Sequence, residues 1–135
     1  MKIVLDTNVL VAAFIAHGAC HDLLEYCAVR HVLVLSKAIL NEFSDVLTKK
    51  FSFTVAETRH AIRLLKSRAT LVQPAQLPLS VCRDPDDDAV LATALAGDCQ
   101  CLVTGDNDLL ELGEYQGVRI VSPRAFWEFE SKMPT

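Results

Sequence analysis

The sequence has little of what marks secreted, membrane-spanning or disulfide-stabilised proteins. No apolar run approaches the roughly 18 residues that a membrane span needs. No secretory signal is evident, because Asp6 interrupts the first apolar stretch. The five cysteines are odd in number and form no Cys-x-x-Cys pair, which favours reduced thiols packed as small apolar side chains. These absences predict a soluble, cytoplasmic protein with no membrane partner.

Zinc is an alternative that the cysteines leave open. His17, Cys20 and His21 fall at helical spacing. A fourth ligand is not evident and no closing Cys/His pair follows, whereas structural zinc sites use four protein ligands. The zinc hypothesis therefore rests on three residues alone.

The chain also lacks net positive charge. Its net charge of −4 counts against a nucleic-acid partner until charge is read by position. Six of the seventeen acids lie in two short clusters: Asp84, Asp86, Asp87, Asp88, Asp106 and Asp108. The segment from residue 49 to 68 carries six cations against one acid, Glu57. A basic segment beside an acidic metal site is compatible with a phosphodiester substrate.

Two short apolar strands are each followed by polar residues. The strand Lys2–Leu5 runs into Asp6, Thr7 and Asn8. A later strand around Leu102 is followed by a similar set: Thr104, Asp106 and Asp108. Because ligands bind at the carboxyl ends of parallel strands, these carboxylates are expected to converge and hold a divalent cation. For Asp106 an ordinary helix N-cap is the alternative.

Glu42 is a third candidate, from a helix that begins after Ser36. The apolar residues of this helix form one stripe, and Glu42 lies on its border between Ile39 and Val46. A carboxylate on that border can point into a crevice. It can equally rest its stem on the core with its head in water.

The run of aspartates around Pro85 opens another helix. Asp84 reads as its N-cap and Pro85 as its first residue, while Asp86 and Asp87 lie in the first turn, where negative charge is favoured. Asp88 aligns with the apolar face of the helix, whereas Asp86 lies on the side of Thr93, the one polar residue of the helix body. A carboxylate that points inward must be paired, neutralised or metal-bound. We therefore expect Asp88 to be the ligand, with Asp84 or Asp87 in support.

A basic stripe lies on the helix that follows the capping box at Thr54. Arg59, Arg63 and Lys66 share one face at helical spacing. Such a stripe is typical of a solvated surface. Beside a phosphate-binding site it could instead guide an RNA backbone.

The order of elements predicts the fold class. Strands alternate with helices along all 135 residues, a common size for one domain. We predict a single α/β domain over residues 1–135, a three-layer α/β/α sandwich around a mostly parallel sheet of about five strands.

The chain resembles the PIN-domain family of metal-dependent ribonucleases. The resemblance rests on four motifs in order, from about Lys2 to Glu130: LDTNV, NEF, DPDDDAVLATAL and LVTGDNDLL. Within the family it is most similar to the bacterial branch that contains toxins of toxin–antitoxin systems. Each motif is short, and the set of four is more specific than any one.

The resemblance implies a set of metal-binding acids. Its first acid falls on Asp6, its helical glutamate on Glu42, its third acid on Asp88 and its fourth on Asp106, with Asp108 a candidate fifth. The neighbouring polar positions match Thr7, Asn8 and Thr104. Two departures stand out. The third acid lies in a run where Asp87 or Asp84 could be the ligand, and Leu109 stands where relatives often have phenylalanine.

By resemblance, the expected activity is an endoribonuclease that uses Mg²⁺ or Mn²⁺ to hydrolyse RNA. Carboxylate oxygens select these cations over zinc. The resemblance also implies a homodimer and, for a toxin, an antitoxin protein as partner. Two alternatives remain: a phosphatase with a strand-end aspartate nucleophile, and a non-catalytic RNA- or protein-binding module on the same scaffold. Asn8 stands where such a phosphatase would carry a second aspartate.

Overall fold

A computed structural model describes residues 1–74, 77 and 80–133. The described elements follow one another along the chain as β1 (Lys2–Leu5), α1 (Thr7–Ile15), α2 (Ala19–Arg30), β2 (Val32–Leu35), α3 (Lys37–Lys50), α4 (Val55–Ser67), β3 (Ala69–Leu71), α5 (Pro85–Ala96), β4 (Cys101–Val103), α6 (Asn107–Leu112), β5 (Glu114–Tyr115), β6 (Val118–Val121) and α7 (Pro123–Ser131).

One sheet organises these elements, with strand order β3-β2-β1-β4-β6-β5. All neighbouring strands are parallel except β5, which pairs antiparallel with β6. The predicted α/β fold with a mostly parallel sheet is confirmed, and the described part of the chain forms six strands rather than about five. β5 is a two-residue strand, too short to leave a pattern in the sequence.

Helices cover both faces of the sheet. Successive residues of a strand point to opposite faces. Ile3, Val4 and Leu5 of β1 are nevertheless all buried, and so is every residue of β4. A central strand with no exposed face requires a layer of helices on each side.

Several helices have the N-terminal caps that the sequence predicts. Thr54 and Glu57 form the expected capping box, with the Glu57 N–H donating to the Thr54 hydroxyl at 3.0 Å and the Thr54 N–H donating to Glu57 at 2.9 Å. Ser36 caps α3 through the N–H of Ile39. These caps satisfy backbone donors that a helix leaves unpaired at its first turn.

Apolar packing between helices orients α3, which carries Glu42. Phe43 is wholly buried and its ring lies edge-on to that of Phe14 on α1, with 5.3 Å between centroids. Leu47, one turn later, is also fully buried. This stripe fixes the rotation of α3 and leaves the neighbouring Glu42 half-buried.

No single described helix is both long enough and apolar enough to cross a membrane. The helices α1 and α2 meet that test only when taken together, and the chain bends by 108° between them.

Candidate active site

The ends of β1 and β4 form the base of the candidate site. The two strands are adjacent and parallel, with Leu5 opposite Val103. The N–H of Asp6 donates to the carbonyl of Val103 at 2.8 Å. Side chains that follow the two strands are therefore brought to the same edge of the sheet.

Asp6 is the most enclosed carboxylate of this edge, with only 4% of its surface exposed. Its Oδ1 accepts from the N–H of Thr7 at 2.7 Å, and its Oδ2 accepts from the Thr104 hydroxyl at 2.6 Å. The Asn8 amide donates more weakly to Oδ2, at 3.3 Å. Burial raises the pKa of Asp6, and these donors only partly offset it because they favour the charged form. The charge of Asp106 raises the pKa further.

Asn8 and Thr104 link the two strand ends. The Asn8 Oδ1 accepts from the N–H of Gly105 at 3.2 Å. The buried Thr104 hydroxyl donates to Asp6 and also accepts from the N–H of Asp106 at 3.0 Å. Asp106 in turn caps α6 through the N–H of Leu109 at 3.0 Å. The Thr104 hydroxyl thus holds Asp6 from the neighbouring strand end, and it holds the backbone of Asp106 within its own loop.

A pocket of about 550 Å³ opens above these strand ends, and we call it the acidic pocket. Among the described residues, six carboxylates line it: Asp6, Glu42, Asp84, Asp86, Asp87 and Asp106. Thr7 and Asn8 also line it. The Thr7 hydroxyl oxygen is buried and has no hydrogen-bond partner within the described part of the chain. The carboxylates and hydroxyl groups of the pocket therefore offer many oxygen atoms as ligands for a metal ion.

Glu42 enters the acidic pocket from α3. Burial raises its pKa from 4.5 to about 7. The nearby Thr7 hydroxyl lowers that pKa, while a hydrogen bond to Asp86 and the charges of Asp86 and Asp6 raise it. Glu42 can therefore gain or lose a proton near neutral pH.

Asp87 enters from the first turn of α5. Burial raises its pKa from 3.8 to about 7, and the charges of Asp106, Asp6 and Asp84 add to the rise. The carboxylates of Asp87, Asp106 and Asp108 each place one oxygen within 4.8 Å of the other two. Asp84 caps α5 by accepting from the N–H of Asp86 at 2.9 Å, as its sequence position predicts.

The structure places Asp88 differently from the other predicted acids. Its Oδ1 accepts from the N–H groups of Val81 at 3.2 Å and Cys82 at 2.8 Å. It does not line the acidic pocket, whereas Asp86 and Asp87 do. Asp88 is half-buried against the preceding loop, and Asp86 is exposed at the pocket. The role of Asp88 as a metal ligand stays a prediction, and its contacts with the preceding loop do not favour it.

Thr93 lies on a buried face of α5. A lone polar residue in a helix body is typical of a solvent-facing side, but Thr93 is wholly buried. Its hydroxyl donates to that of Ser36, the N-cap of α3, at 2.7 Å. The face of α5 that carries Thr93 and Asp86 therefore packs towards α3, which places Asp86 beside Glu42.

Asp108 lies on the edge of the acidic group. Its carboxylate is 2.8 Å from the guanidinium of Arg83, an exposed side chain. Its oxygen also belongs to the group formed with Asp87 and Asp106. Asp108 is thus close enough to supply an additional oxygen, but it already has a charged partner.

The basic stripe of α4 lies outside the acidic pocket. Arg59, Arg63 and Lys66 are exposed, and none of them lines the pocket. The basic residue that lines the pocket is Lys50, at the end of α3 and next to Phe51. Sequence periodicity could not find Lys50, because it is one of two adjacent lysines and only the rotation of α3 distinguishes them.

The residues of the zinc hypothesis do not converge as ligands. The rings of His17 and His21 lie edge to face, with centroids 4.7 Å apart. His21 instead has its Nδ1 3.3 Å from the carbonyl of Ala13. Across residues 1–74, 77 and 80–133, the group of acidic, histidine or cysteine side chains close enough to share an ion is Asp87, Asp106 and Asp108.

Comparison with known proteins places this geometry in context. A family model described as PIN domain matches residues 2–108. A search of curated protein sequences gives no match. Similar solved structures are VapBC2 from Rickettsia felis bound to a promoter DNA fragment (17% identity, TM-score 0.65), VapBC-1 from nontypeable Haemophilus influenzae (16%, 0.60) and the sarcin–ricin loop cleaving toxin VapC20 of Mycobacterium tuberculosis (17%, 0.60). These matches cover 90%, 92% and 87% of this chain and 98%, 99% and 98% of the other chains, respectively. At this identity the likeness concerns the fold.

Proposed function

Because the chain belongs to the PIN-domain family, we propose that it is a metal-dependent endoribonuclease that hydrolyses RNA phosphodiester bonds. The observation that carries this proposal is the acidic pocket, which is lined by six carboxylates of the described residues. Negative charges gathered in one pocket destabilise the folded state unless protons or a cation neutralise them. A catalytic metal ion bound in the pocket would account for this cluster of carboxylates.

The residues of the acidic pocket fit a hard divalent cation. The carboxylate and hydroxyl groups that line the pocket offer oxygen atoms as ligands, and Mg²⁺ and Mn²⁺ prefer oxygen ligands. The buried Thr7 hydroxyl is one more oxygen next to the carboxylates. Glu42 and Asp87, each with a pKa of about 7, hold protons that a cation would displace.

We assign the ligands by position. Asp6, Glu42 and Asp106 hold the cation as the sequence predicts, and Asp87 is the third acid in place of Asp88. Asp87 lines the pocket and has a carboxylate oxygen within 4.8 Å of one of Asp106, whereas Asp88 is bonded to the preceding loop. Asp108 can add a further oxygen from the edge.

When bound, the cation would make a water molecule more acidic and stabilise negative charge on the phosphate. The protein's own groups supply the rest. Glu42 can accept a proton on a carboxylate oxygen near neutral pH. Thr104 and Asn8 hold the Asp6 carboxylate in one orientation through its Oδ2.

The biological setting forms the second part of the proposal. Two of the similar structures are of VapBC proteins and the third is described as a toxin, which supports a role as the toxin component of a bacterial toxin–antitoxin system. An antitoxin protein is then the expected partner. A homodimer, a cytoplasmic location and a single domain over residues 1–135 belong to the same proposal.

RNA cleavage is the direct test. A labelled single-stranded RNA is incubated with the protein in Mg²⁺, Mn²⁺ or EDTA, and the products are separated on a gel. We expect cleavage that requires the cation and is lost in Asp6→Asn, a substitution that keeps the size of the side chain and one acceptor oxygen for the Thr7 N–H. Asp45→Asn is the matched control, because Asp45 is exposed on α3 and does not line the acidic pocket.

The same samples separate the alternatives. Hydrolysis of p-nitrophenyl phosphate without RNA cleavage would indicate a phosphatase. RNA binding that needs no cation and leaves the RNA intact would indicate a binding module. Cleavage by Asp6→Asn at the wild-type rate would refute the assigned site.

A further inference from the structure

We propose that Lys50 and Phe51 form a nucleotide subsite at the rim of the acidic pocket, where Lys50 contacts an RNA phosphate and the Phe51 ring stacks on a base. This inference rests on the proposed ribonuclease function. It adds a pair of substrate contacts that lie on the same helix as Glu42.

The position of the pair follows from α3. Lys50 is the last residue of that helix and Phe51 its C-cap, and both line the acidic pocket. Lys50 lies eight residues after Glu42, which is about 12 Å along a helix axis. One RNA strand can therefore reach the carboxylates and the rim together.

The turn after α3 separates two phenylalanines of similar sequence context. Ser52 has a left-handed backbone with φ of 55°, uncommon for a residue other than glycine. Beyond it the N–H of Phe53 donates to the carbonyl of Leu47 at 3.0 Å, and the Phe53 side chain packs against the core. Phe51 instead keeps 43% of its surface exposed at the pocket. The turn thus holds an aromatic ring in water beside the acidic pocket, and a base can stack on such a ring whatever its sequence.

Lys50 complements the phosphate of the same nucleotide. Lys50 is the basic residue that lines the acidic pocket, and it enters none of the ion pairs found across the described residues. A helix C-terminus favours lysine for its own stability, and that explanation applies equally to Lys49, its neighbour in the last turn. Only Lys50 also lines the pocket, so the two lysines form a matched pair for experiment.

Equilibrium binding of RNA tests the subsite. Fluorescence anisotropy of a labelled single-stranded RNA is measured in Mg²⁺ at several salt concentrations, in an Asp6→Asn background that blocks cleavage. Lys50→Gln is compared with Lys49→Gln, and Phe51→Ala with Phe51→Tyr and Phe51→Leu. Because both residues are exposed, unfolding temperatures are expected to stay close to that of the parent.

The expected changes differ between the two residues. Loss of one phosphate contact should make the slope of log K against log salt shallower by about 0.7 in Lys50→Gln and leave it unchanged in Lys49→Gln. Loss of stacking in Phe51→Ala should weaken binding roughly 5- to 150-fold. Tyrosine should restore that affinity, and leucine, which has no aromatic face, should not.

Two results would overturn the inference while the proposed function stands on wild-type cleavage. One is an equal salt slope for the two lysine variants. The other is recovery of binding by Phe51→Leu as complete as by Phe51→Tyr. If the wild type neither binds nor cleaves RNA with Mg²⁺ or Mn²⁺, the subsite and the proposed function fail together.

Discussion

Neutralising Asp87 should stabilise the metal-free protein above neutral pH. The folded state raises the pKa of this carboxyl from 3.8 to about 7, first through burial and then through the charges of Asp106, Asp6 and Asp84. Between these two pKa values the folded protein holds a proton that the unfolded chain has lost. Stability therefore falls as pH rises from about 4 to about 7, and the full penalty is present above pH 7.

The size of the penalty follows from the two pKa values. A rise from 3.8 to about 7 corresponds to about 4 kcal/mol as an upper bound. Asp87 is only partly buried, so screening by water should reduce the penalty to roughly 1–2 kcal/mol. Asp87→Asn removes the charge with little change of shape and should recover that amount at pH 8.

Urea unfolding in EDTA at pH 8 and pH 4 measures the effect. Asp22→Asn is the control, because Asp22 is an exposed aspartate in the first turn of α2, and its loss costs the same favourable helix-dipole interaction. At pH 8 Asp87→Asn should be more stable than wild type and Asp22→Asn should not. At pH 4 the gain of Asp87→Asn should nearly vanish, since the carboxyl is then protonated in the folded wild type.

Addition of a cation should reverse the order. A cation that binds only the folded state stabilises the wild type by about 2.7 kcal/mol at a hundredfold excess over its dissociation constant. Asp87→Asn should lose most of this response to Mn²⁺. The reasoning is refuted if Asp87→Asn and Asp22→Asn are equally stable at pH 8, or if the gain of Asp87→Asn persists at pH 4.

Three further substitutions probe the site and its support. Asp88→Ala should lower the free energy of unfolding in urea by about 1–3 kcal/mol, because two loop N–H groups lose their acceptor. Asp88→Asn should keep the stabilisation by Mn²⁺ in thermal unfolding. Loss of that stabilisation would restore Asp88 as a ligand. Thr104→Val removes the donor to Asp6 and should lower metal affinity or cleavage roughly 10- to 100-fold with the fold intact, so unchanged values would contradict its orienting role. Phe43→Ala should cost about 3–5 kcal/mol of unfolding free energy, and a cost near zero would mean that the packing that rotates α3 is misassigned.

Much of this molecule could be predicted from short stretches of sequence. The capping box at Thr54 and the N-cap at Asp84 involve partners within three residues, so local composition is enough to place them. The strand ends at Asp6 and Thr104 were equally predictable, because buried parallel strands are apolar runs in the sequence and these two runs stop at polar residues.

The two-residue strand β5 was not predictable in this way. Glu114 and Tyr115 form a strand because β6 lies opposite them, with Glu114 paired to Arg119 and Tyr115 to Val118. A segment that short has no periodicity of its own. Its conformation depends on a neighbour and on the turn at Gly117, whose φ of 87° suits glycine.

Which acid of the aspartate run faces the acidic pocket depended on packing alone. The sequence of α5 contains one polar residue beyond its first turn, Thr93, and composition cannot say whether its hydroxyl meets water or another helix. The bond from Thr93 to Ser36 turns that face towards α3 and brings Asp86 to Glu42. The choice between Lys49 and Lys50 has the same origin, because the buried stripe of α3 sets which of the two lines the pocket. Residue types and local hydrogen bonds thus specified the elements and the kind of chemistry, whereas the rotation of each helix, which no local pattern encodes, selected the individual side chains.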